Sequence, residues 1–408
     1  MVHASGIPVF VDQVRPDDPF FCFRPERLER AATWFRESFP GQVFYAVKAN
    51  PALHILDGLW AAGIRGFDVA SPAEIELVAT RFPEADLAYM HPVKNRNAIA
   101  RAYHEFGVRR FVLDSHAELQ KILEATNHAK DLILVVRVGV SNAGAAVPLT
   151  GKFGASEAEA PGLLRETRRV ASRLGVSFHV GSQSLNPGAW PAAMSNISRL
   201  IRKAAVTVDI VDVGGGFPSL YKSDGGMPAL ADYAASVDDA FEEMMVLESA
   251  ELWSEPGRAL VAEAESLLVR VDGVKGDALY LNDGGFGALY DAVNLGWEFP
   301  VRTHSPEKTL SGRTRAFTLY GPTCDSADKF ALPVQLPANI SEGDYIEFGN
   351  IGAYGRSMST RFNGFGGYGL VETGDAPFAS AYVPDAWTAP AAVPASAEIA
   401  TLAVSLKP

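Results

Sequence analysis

The sequence predicts an α/β protein in which a (β/α)8 barrel of the TIM type is joined to a C-terminal β domain. From about residue 24 to residue 262, short apolar runs alternate with amphipathic segments, as they do in parallel strands covered by helices. Eight such runs can be counted, and a polar residue or a glycine stands at the carboxyl end of each. Barrel enzymes build their active sites at those ends, whereas an open doubly wound sheet concentrates polar residues at one switch point. The pattern therefore favours the barrel.

The predicted barrel elements follow one another in a regular order. The strands are Val43–Val47, Gly66–Val69, Leu87–Met90, Arg110–Leu113, Leu132–Val138, Ser177–Val180, Ile210–Val213 and Leu252–Glu255. The helices between them include Pro72–Arg81, Asn95–Phe106, His116–Ala125, Leu163–Leu174 and Ala229–Met245. The residues at the strand ends are Lys48, Asp68, His91, Asp114, Arg137, His179, Gly214 and Glu255.

After Val261 the pattern changes to short strands separated by glycine turns, which indicates a β domain. Its predicted strands are Ser266–Val274, Ala278–Asn282, Arg315–Leu319 and Asp344–Phe348. The predicted division of the chain is a cofactor-binding barrel over 24–262, a β domain built from 1–23 and 263–383, and a loosely held tail, rich in Ala and Pro, over 384–408.

Composition excludes several classes of function. The chain of 408 residues has a net charge of -12 and no run rich in lysine or arginine, so a nucleic acid partner is not expected. No 18 apolar residues run uninterrupted and no secretory leader is recognisable, so we expect a cytoplasmic protein with no membrane segment. The two cysteines have no zinc-ligand spacing, and we predict no metal site.

Lys48 stands directly after the first apolar strand, where a barrel places its chemistry. Burial lowers the pKa of an amine and makes it nucleophilic, as a Schiff base with an aldehyde cofactor requires. The alternative is a lysine that merely extends its charge to solvent at a strand end. Its immediate neighbours leave both interpretations open.

Three further motifs stand at the ends of later strands. The triple glycine Gly214, Gly215 and Gly216 lets backbone N–H groups close around an anion, and barrels often hold phosphate after strands seven and eight. Glu255, Gly257 and Arg258 supply a carboxylate, a second glycine site and a cation, although Glu255 could simply pair with Arg258. His179 and Ser182 add a flat ring and a hydroxyl, although such a histidine is more often a hydrogen-bonded core residue.

Together these groups suit a phosphorylated aromatic aldehyde, and we predict pyridoxal 5'-phosphate as cofactor. At this point the chain resembles the ornithine/diaminopimelate/arginine decarboxylase family of fold type III pyridoxal phosphate enzymes, most closely its ornithine/lysine branch. The matching motifs are Tyr45–Lys48, Gly66–Asp68, Phe178–Ser182, the triple glycine, Glu255–Arg258, Gly321–Asp325 and Gly352–Tyr354. The resemblance implies an alanine-racemase-like barrel with a β domain.

The resemblance also implies roles for individual residues. Lys48 would bind the cofactor covalently, His179 would stack on its ring, and Glu255 would pair with the ring nitrogen, which favours decarboxylation over racemisation. Cys324 would complete the catalytic set. The remaining cofactor-binding residues implied are Asp68, Arg137, Ser182, Gly214, Gly215, Gly216, Gly257, Arg258 and Tyr354.

Cys324 and Asp325 resemble the family pair that enters the neighbouring subunit's site, which implies a homodimer with shared sites. In that pair the thiol lies near the substrate Cα and the carboxylate binds the distal ammonium. Lys152 and Asp328 match a family ion pair across the interface, although either could be a solvated charge.

Two departures from the family pattern stand out. Tyr290 and Asp291, expected to bind substrate, come about one helical turn too early after Asn282–Gly284, so they and Trp297 could instead shape a pocket for another amino acid. His91 stands where the family often has a different polar residue, and the sequence offers no explanation for it.

The function that the resemblance implies is decarboxylation of ornithine or lysine to a diamine, putrescine or cadaverine, in polyamine biosynthesis. Two alternatives remain. One is a decarboxylase for arginine, meso-diaminopimelate or carboxynorspermidine, and the other is a non-catalytic regulator resembling antizyme inhibitors.

Overall fold

The fold is taken from a computed structural model of the chain, which describes residues 2–142, 144–149, 151–221, 226–375 and 378–382. The predicted tail over 384–408 lies outside these residues. The strands are β1 Val2–Ala4, β2 Phe20–Phe23, β3 Gln42–Ala46, β4 Gly66–Val69, β5 Asp86–Tyr89, β6 Arg110–Leu113, β7 Ile133–Arg137, β8 Ala145–Val147, β9 Arg173–Ser177, β10 Ser182–Ser184, β11 Ile210–Asp212, β12 Glu251–Ser254, β13 Glu265–Lys275, β14 Ala278–Leu281, β15 Val301–His304, β16 Thr314–Tyr320, β17 Val334–Pro337, β18 Tyr345–Phe348 and β19 Gly369–Thr373.

The helices lie mainly between the barrel strands. They are α1 Ile7–Val14, α2 Pro25–Ser38, α3 Leu53–Ala61, α4 Pro72–Arg81, α5 Arg96–His104, α6 His116–Ala125, α7 Ala160–Val170, α8 Ala189–Ala204, α9 Leu230–Glu242, α10 Arg258–Val261, α11 Tyr290–Asn294 and α12 Gly355–Met358. Among the described residues, no helix is long and apolar enough to cross a membrane.

Strands β3, β4, β5, β6, β7, β9, β11 and β12 close an eight-stranded parallel barrel, as the sequence predicts. Its interior is filled by apolar side chains that point inward from six of these strands. They are Phe44, Ala88, Met90, Val112, Val135, Ile210 and Trp253. Because the interior is solid, ligands can enter only at the strand ends.

Seven of the predicted barrel strands agree with the structure to within one residue at each end, but the sixth is wrong. Its strand is β9, Arg173–Ser177, and the preceding helix ends at Val170 instead of continuing to Leu174. Gly175 explains the error, because glycine weakens a strand pattern in sequence. In the barrel this glycine is required, since a Cβ there would lie 2.9 Å from the Val135 side chain.

The covering helices start promptly after their strands because capping residues follow the strands closely. The Ser71 hydroxyl accepts the Glu74 N–H at the start of α4, and the Ser115 hydroxyl accepts the Glu118 N–H at the start of α6. Each cap satisfies a backbone donor that the first turn of a helix leaves free. The chain therefore turns away from the barrel mouth at once and leaves Asp68 and Asp114 at its rim.

The second unit is a sheet of nine strands within the described residues, with the order β1-β19-β2-β13-β14-β16-β17 and with β18 joining β13 to β15. The long strand β13 pairs with β2 on one side and with β14 and β18 along its length. Several hydrogen bonds tie this sheet unit to the barrel mouth, among them two from the segments after β3 and β18. The Tyr354 N–H donates to the Ala49 carbonyl at 2.8 Å, and the Asn50 amide donates to the Gly352 carbonyl at 2.8 Å.

Candidate active site

Lys48 lies in a single 3-10 turn, Val47–Ala49, immediately after β3. Its amine donates to Asp68 Oδ2 on the neighbouring strand β4, with Nζ and Oδ2 3.0 Å apart. The Lys48 side chain is 45% exposed, whereas that of Asp68 is 1% exposed. Of the two interpretations that the sequence leaves open, a fully buried amine is wrong, because the Lys48 side chain is half-buried in the mouth of the barrel.

The expected direction of the Lys48 pKa is also wrong. Removal from water lowers the pKa of this amine, but the carboxylate of Asp68, together with Tyr354 and Glu255, raises it more, so the net shift is upward. The amine is consequently protonated at neutral pH in this state. It must lose that proton before it can attack an aldehyde.

Glu255 follows β12 and is buried beside two other acids. Burial raises its pKa well above the usual range, and the nearby Asp212 and Asp68 raise it further. Burial also raises the pKa of Asp212 to about 6, although the Gly214 N–H donates to Asp212 Oδ1 at 2.8 Å. Neutral pH therefore leaves a proton on this group of carboxyls. Glu255 does not pair with Arg258, whose described partners are Tyr221 and Asp291.

His179 stands two residues after β9, with one ring nitrogen already engaged. The Gly181 N–H donates to His179 Nδ1 at 3.0 Å, so the proton of the neutral ring lies on Nε2. Burial, Arg137 and Lys48 together lower the pKa of His179 well below its usual value. The ring is therefore neutral and has a defined tautomer, with Nε2 carrying the proton.

The triple glycine forms a cradle between the ends of β9 and β12. A Cβ on Gly214 would lie 2.2 Å from the Phe178 carbonyl oxygen, and one on Gly216 would lie 2.4 Å from the Gly181 carbonyl oxygen. Both glycines also have positive φ, 66° and 100°. Side chains are excluded here on both grounds, so the backbone itself faces the mouth next to Ser182.

Arg258, at the start of α10, is enclosed by aromatic rings. Its guanidinium lies 4.4 Å from the Trp297 ring centre and 4.7 Å from that of Tyr354. Arg258 Nη1 donates to the Tyr221 hydroxyl at 3.0 Å and lies 3.5 Å from Asp291 Oδ2. A guanidinium fixed in this way suits the planar recognition of a phosphate or carboxylate.

Comparisons with known proteins agree with this geometry. A family model described as "Pyridoxal-dependent decarboxylase, pyridoxal binding domain" matches residues 26–262. The lysine/ornithine decarboxylase of Selenomonas ruminantium is 31% identical over 357 residues, which is 85% of this chain and 87% of that protein. The chain belongs to the pyridoxal-dependent decarboxylases.

Two other relatives show the breadth of the family. The crystal structure of the Paramecium bursaria Chlorella virus arginine decarboxylase superimposes with a TM-score of 0.80 at 25% identity, covering 90% of this chain and 99% of that one. Antizyme inhibitor 2 of Xenopus laevis is 31% identical over 384 residues, which is 87% of this chain and 81% of that protein. The decarboxylase shares its fold and cofactor chemistry with this family, and its cofactor is pyridoxal 5'-phosphate.

The site of this decarboxylase fits pyridoxal phosphate at both ends of the cofactor. Glu255 Oε1 and Arg258 Nε are buried without a hydrogen-bond partner among the described residues. Buried polar atoms without partners are costly, and a protonated ring nitrogen and a phosphate would supply the missing partners. The glycine cradle leaves the space that a phosphate needs. In the described part of the chain, no cluster of three or more metal-ligating side chains occurs.

The structure does not bring Cys324 and Asp325 to the barrel mouth of their own chain by any described contact. Both side chains are exposed on the loop 321–328. The Cys324 N–H donates to Asn363 Oδ1 at 3.1 Å, and Asp325 Oδ1 accepts the Ala327 N–H at 2.9 Å.

Asp328 is buried within its own chain, so the alternative of a solvated charge is wrong, and the ion pair with Lys152 across an interface stays a prediction. It is 2% exposed. Its carboxylate accepts the Gly285 N–H at 2.7 Å and the Thr323 hydroxyl at 2.8 Å. A Cβ on Gly321 would lie 2.3 Å from either carboxylate oxygen, so the loop closes tightly around the acid. Lys152 is exposed and lies over the Phe153 ring.

Asp291 and Tyr290 begin the short helix α11, and the structure separates their environments. Asp291 is buried against Arg258, whereas Tyr290 is half-buried and its described hydrogen bond is from the Asn294 amide to its carbonyl. Burial raises the pKa of Asp291, and Arg258 opposes that effect. The Asp291 carboxylate therefore already has a cationic neighbour within its own chain, and its role in binding substrate stays a prediction.

His91 contacts Phe153, which lies between β8 and α7. Its ring meets the Phe153 ring edge-on at 5.2 Å, and Phe153 also lies 5.9 Å from the Arg137 guanidinium. Burial and Lys94 lower the pKa of His91. His91 thus packs as a neutral ring against Phe153.

Sequence reasoning missed two groups that hold the loops together. The Gln183 amide donates to the Ser219 carbonyl at 2.5 Å and accepts the Ser219 N–H at 3.0 Å, which joins the loops after β9 and β11. The Asn142 amide donates to the His179 carbonyl at 2.8 Å. Gln183 follows the His179–Ser182 motif directly and could have been noticed, whereas nothing in the sequence marks Asn142.

Proposed function

We propose that this enzyme decarboxylates a basic L-amino acid, ornithine or lysine, to the corresponding diamine. The observation that carries the proposal is the pair Cys324 and Asp325 on an exposed loop, in a chain 31% identical to a lysine/ornithine decarboxylase. An aspartate after the cysteine offers a carboxylate to the distal ammonium of the substrate. Its exposure supports a homodimer in which each subunit completes the site of the other.

Several side chains hold the cofactor in this proposal. Lys48 would carry its aldehyde carbon, Glu255 would pair with its ring nitrogen, and the neutral ring of His179 would stack on the cofactor ring. Its phosphate would be held by the following groups: Ser182, Gly214, Gly215, Gly216, Gly257, Arg258 and Tyr354. When bound, pyridoxal phosphate supplies an electron-accepting ring that takes up the electron pair left when carbon dioxide departs.

Side chains of the enzyme would control the protons at the ring nitrogen and at the substrate Cα. Burial raises the pKa of Glu255, so this carboxyl would give its proton to the ring nitrogen and remain beside it as the compensating negative charge. His179 stays neutral and does not repel the protonated ring nitrogen. In a dimer with shared sites, the Cys324 thiol of the partner subunit would return a proton to the substrate Cα. Asp325 of the partner subunit fixes the far end of the substrate.

The test is a comparison of kcat/KM for ornithine, lysine, arginine and meso-diaminopimelate, with carboxynorspermidine as a fifth substrate. We expect ornithine or lysine to exceed the others by at least about tenfold, since a charged hydrogen bond that is missing or misplaced costs about 1.5–3 kcal/mol. A preference for arginine or meso-diaminopimelate would replace the proposed substrate. Absence of carbon dioxide release from all five would favour a regulator of the antizyme-inhibitor type.

The homodimer is tested separately by mixing two inactive variants, Lys48→Ala and Cys324→Ala. If sites are shared, mixed dimers contain one intact site and up to about a quarter of the activity returns, because random association makes half of the dimers mixed. No recovery after subunit exchange would contradict shared sites. The cytoplasmic location and the link to polyamine biosynthesis stay predictions.

A further inference from the structure

The Glu265 carboxylate, at the start of β13, joins side chains that come from the barrel and from the sheet unit. Its side chain is 0% exposed. Glu265 Oε1 lies 2.8 Å from His54 Nε2 on α3, and Oε2 accepts the Asn50 amide at 2.7 Å. The Arg356 guanidinium on α12 lies 3.5 Å from Oε1. One buried carboxylate therefore connects the segment after β3 with the segment after β18.

The Asn50 side chain fixes the turn that carries Lys48, two residues before it. Asn50 is 1% exposed. Its amide donates to Glu265 and also to the Gly352 carbonyl at 2.8 Å, and its Oδ1 accepts the Ala52 N–H at 3.1 Å. Both polar atoms of this side chain are paired, so the turn cannot rotate without breaking buried hydrogen bonds.

The Tyr354 backbone needs support from its surroundings, because its φ is 61°, in the left-handed region. Such a conformation costs about 1–3 kcal/mol and persists where the surrounding structure imposes it. The Tyr354 N–H and the Ser357 hydroxyl both donate to the Ala49 carbonyl, at 2.8 and 3.3 Å. The Tyr354 ring lies 4.7 Å from the Arg258 guanidinium, and Tyr354 also raises the pKa of Lys48. The strained residue therefore acts on both the cation and the amine of the site.

We infer that Glu265 is a positioning residue that fixes the turn of Lys48 against the turn of Tyr354. In this way it sets the place of the Lys48 amine beside Asp68. No described contact joins Glu265 to Lys48 or to Tyr354, so Glu265 acts through the side chains that it binds. The inference rests on the proposed function for the role of Lys48 in holding the cofactor.

Glu347→Gln is a matched control, because Glu347 has the same kinds of partner at a distance from Lys48. Its side chain is 0% exposed, and its two oxygens lie 3.0 Å from His304 Nε2 and 2.9 Å from Arg24 Nη2. Both Glu347→Gln and Glu265→Gln should lower Tm by several degrees, since each disturbs a buried charge pair. The two variants differ only in whether the lost carboxylate supports the turn of Lys48.

The first test is the pH dependence of cofactor uptake by cofactor-free Glu265→Gln. A glutamine amide cannot accept from both Asn50 and His54, so the turn of Lys48 loosens and its amine loses part of its contact with Asp68. Asp68 raises the pKa of Lys48, so the midpoint of uptake should fall by at least about half a unit. The groups that most affect the pKa of Lys48 are Asp68, Tyr354 and Glu255.

A shift in Glu265→Gln would thus be transmitted through the position of the amine. Glu347→Gln should have the midpoint of the wild type. An unchanged midpoint in Glu265→Gln, or an equal shift in Glu347→Gln, would overturn the inference.

The second test compares kcat and KM with saturating cofactor. In Glu265→Gln, kcat should fall about 10- to 100-fold, because a displacement of about 1 Å in a reacting group can cost 10²-fold. KM should change little, because Glu265 is sealed from the mouth and cannot touch substrate. In Glu347→Gln both constants should match the wild type. An equal fall in kcat in both variants, or a rise in KM without a fall in kcat, would overturn the inference.

Asn50→Ala keeps the test decisive if Glu265→Gln does not fold. It removes the amide that lies between Lys48 and Glu265 and leaves His54 and Arg356 on the carboxylate. The midpoint of uptake should fall as in Glu265→Gln. The double variant should show no further fall, since the two side chains act through one link. An unchanged midpoint in Asn50→Ala, or additive shifts in the double variant, would contradict the inference.

Lys48→Ala separates a failure of the inference from a failure of the proposed function. If this variant still develops the absorption of protein-bound cofactor, the proposed role of Lys48 fails and the inference fails with it. If Lys48→Ala loses that absorption while Glu265→Gln keeps the midpoint of the wild type, only the inference is overturned.

Discussion

The Lys48 amine and the Asp68 carboxylate face each other across neighbouring strands, with Nζ and Oδ2 3.0 Å apart. This pairing outweighs the effect of burial and raises the pKa of Lys48. The Lys48 amine is therefore protonated and held in a fixed orientation by Asp68 before it reacts with the cofactor aldehyde. Asp68 has a second oxygen, Oδ1, that is buried without a described partner.

Asp68→Asn should shift the pH dependence of cofactor uptake to lower pH. The carboxylate raises the pKa of Lys48, so removing its charge lowers that pKa and increases the neutral, reactive amine at a given pH. Uptake increases with pH in both proteins, and its midpoint should fall by at least about one unit in the variant, as removal of a close opposite charge typically shifts a pKa by 1–3 units. The rate is followed by absorbance after pyridoxal phosphate is added to cofactor-free enzyme.

Asp114→Asn is the control for that experiment. Asp114 also follows a barrel strand, but its Oδ2 accepts the Gly154 N–H at 2.9 Å and is not among the groups that shift Lys48. In Asp114→Asn, the midpoint of the pH dependence of cofactor uptake should equal that of the wild type. An unchanged midpoint in Asp68→Asn would show that the ion pair does not control the amine.

Glu255→Gln should keep the cofactor but lose catalysis. The amide has the shape of the acid, yet it cannot hold a compensating negative charge opposite a protonated ring nitrogen. We expect kcat to fall about 10²- to 10³-fold, the usual size of such a transition-state contribution. Cofactor content by absorbance and kcat with the preferred substrate are the measurements.

Glu263→Gln is the matched control, because Glu263 is also a buried glutamate but accepts from Ser380 and from the Ala381 N–H, outside the barrel mouth. It should change stability rather than kcat. If kcat fell equally in both variants, the loss in Glu255→Gln would result from a folding defect and not from the missing charge beside the ring nitrogen.

Gly216→Ala should destabilise the enzyme and weaken phosphate binding. The residue has φ of 100°, and the added Cβ would lie 2.4 Å from the Gly181 carbonyl oxygen. We expect a loss of about 1–3 kcal/mol in the free energy of unfolding. Chemical denaturation and titration with pyridoxal phosphate measure the two effects.

Gly162→Ala provides the opposite expectation. Gly162 lies inside α7, and a Cβ there would meet no atom within 4 Å. Alanine should stabilise the helix by about 0.4–1 kcal/mol. Similar losses in both variants would contradict the steric argument for the cradle.

Asp328→Asn should loosen the loop that carries Cys324. An amide in place of the carboxylate would turn a donor towards the Gly285 or Thr323 N–H groups, so an acceptor is lost. The rate at which a thiol reagent labels Cys324 should change several-fold, and KM should rise. Cys22 does not interfere, because it is buried and burial raises its thiol pKa.

Lys152→Ala distinguishes this role from an ion pair between subunits. If Asp328 acts within its own loop, Lys152→Ala leaves the labelling rate unchanged, and its effects add to those of Asp328→Asn in the double variant. If the two residues paired across the interface, each single variant would show the same change and the double variant would show no more.

The sequence predicts the barrel and much of the site because the relevant signals are local. Each barrel strand is a short apolar run, and the residue that follows it is carried to the mouth by the geometry of parallel strands. Lys48, His179, the triple glycine and Glu255 are therefore candidates by position, and the family resemblance gives them their expected roles. The sixth strand was misplaced because Gly175 weakens the local pattern, while its fit against Val135 depends on the closed barrel.

The charge of each side chain in the site, and the side chain with which it pairs, depend on the tertiary structure. The direction of the Lys48 pKa results from the competition between burial and Asp68, which is 20 residues away in sequence. The partner of Asp291 is Arg258, on a different element, and Asp328 is buried by Gly321 and the Gly284–Gly285 turn.

The sequence by itself thus determined which chemical groups reach the barrel mouth, because strand periodicity and strand ends are properties of the local chain. Only the tertiary structure decided which of these groups are charged and which acids are already paired. Both depend on distances of a few ångströms between residues that the fold, and not the order of the chain, brings together.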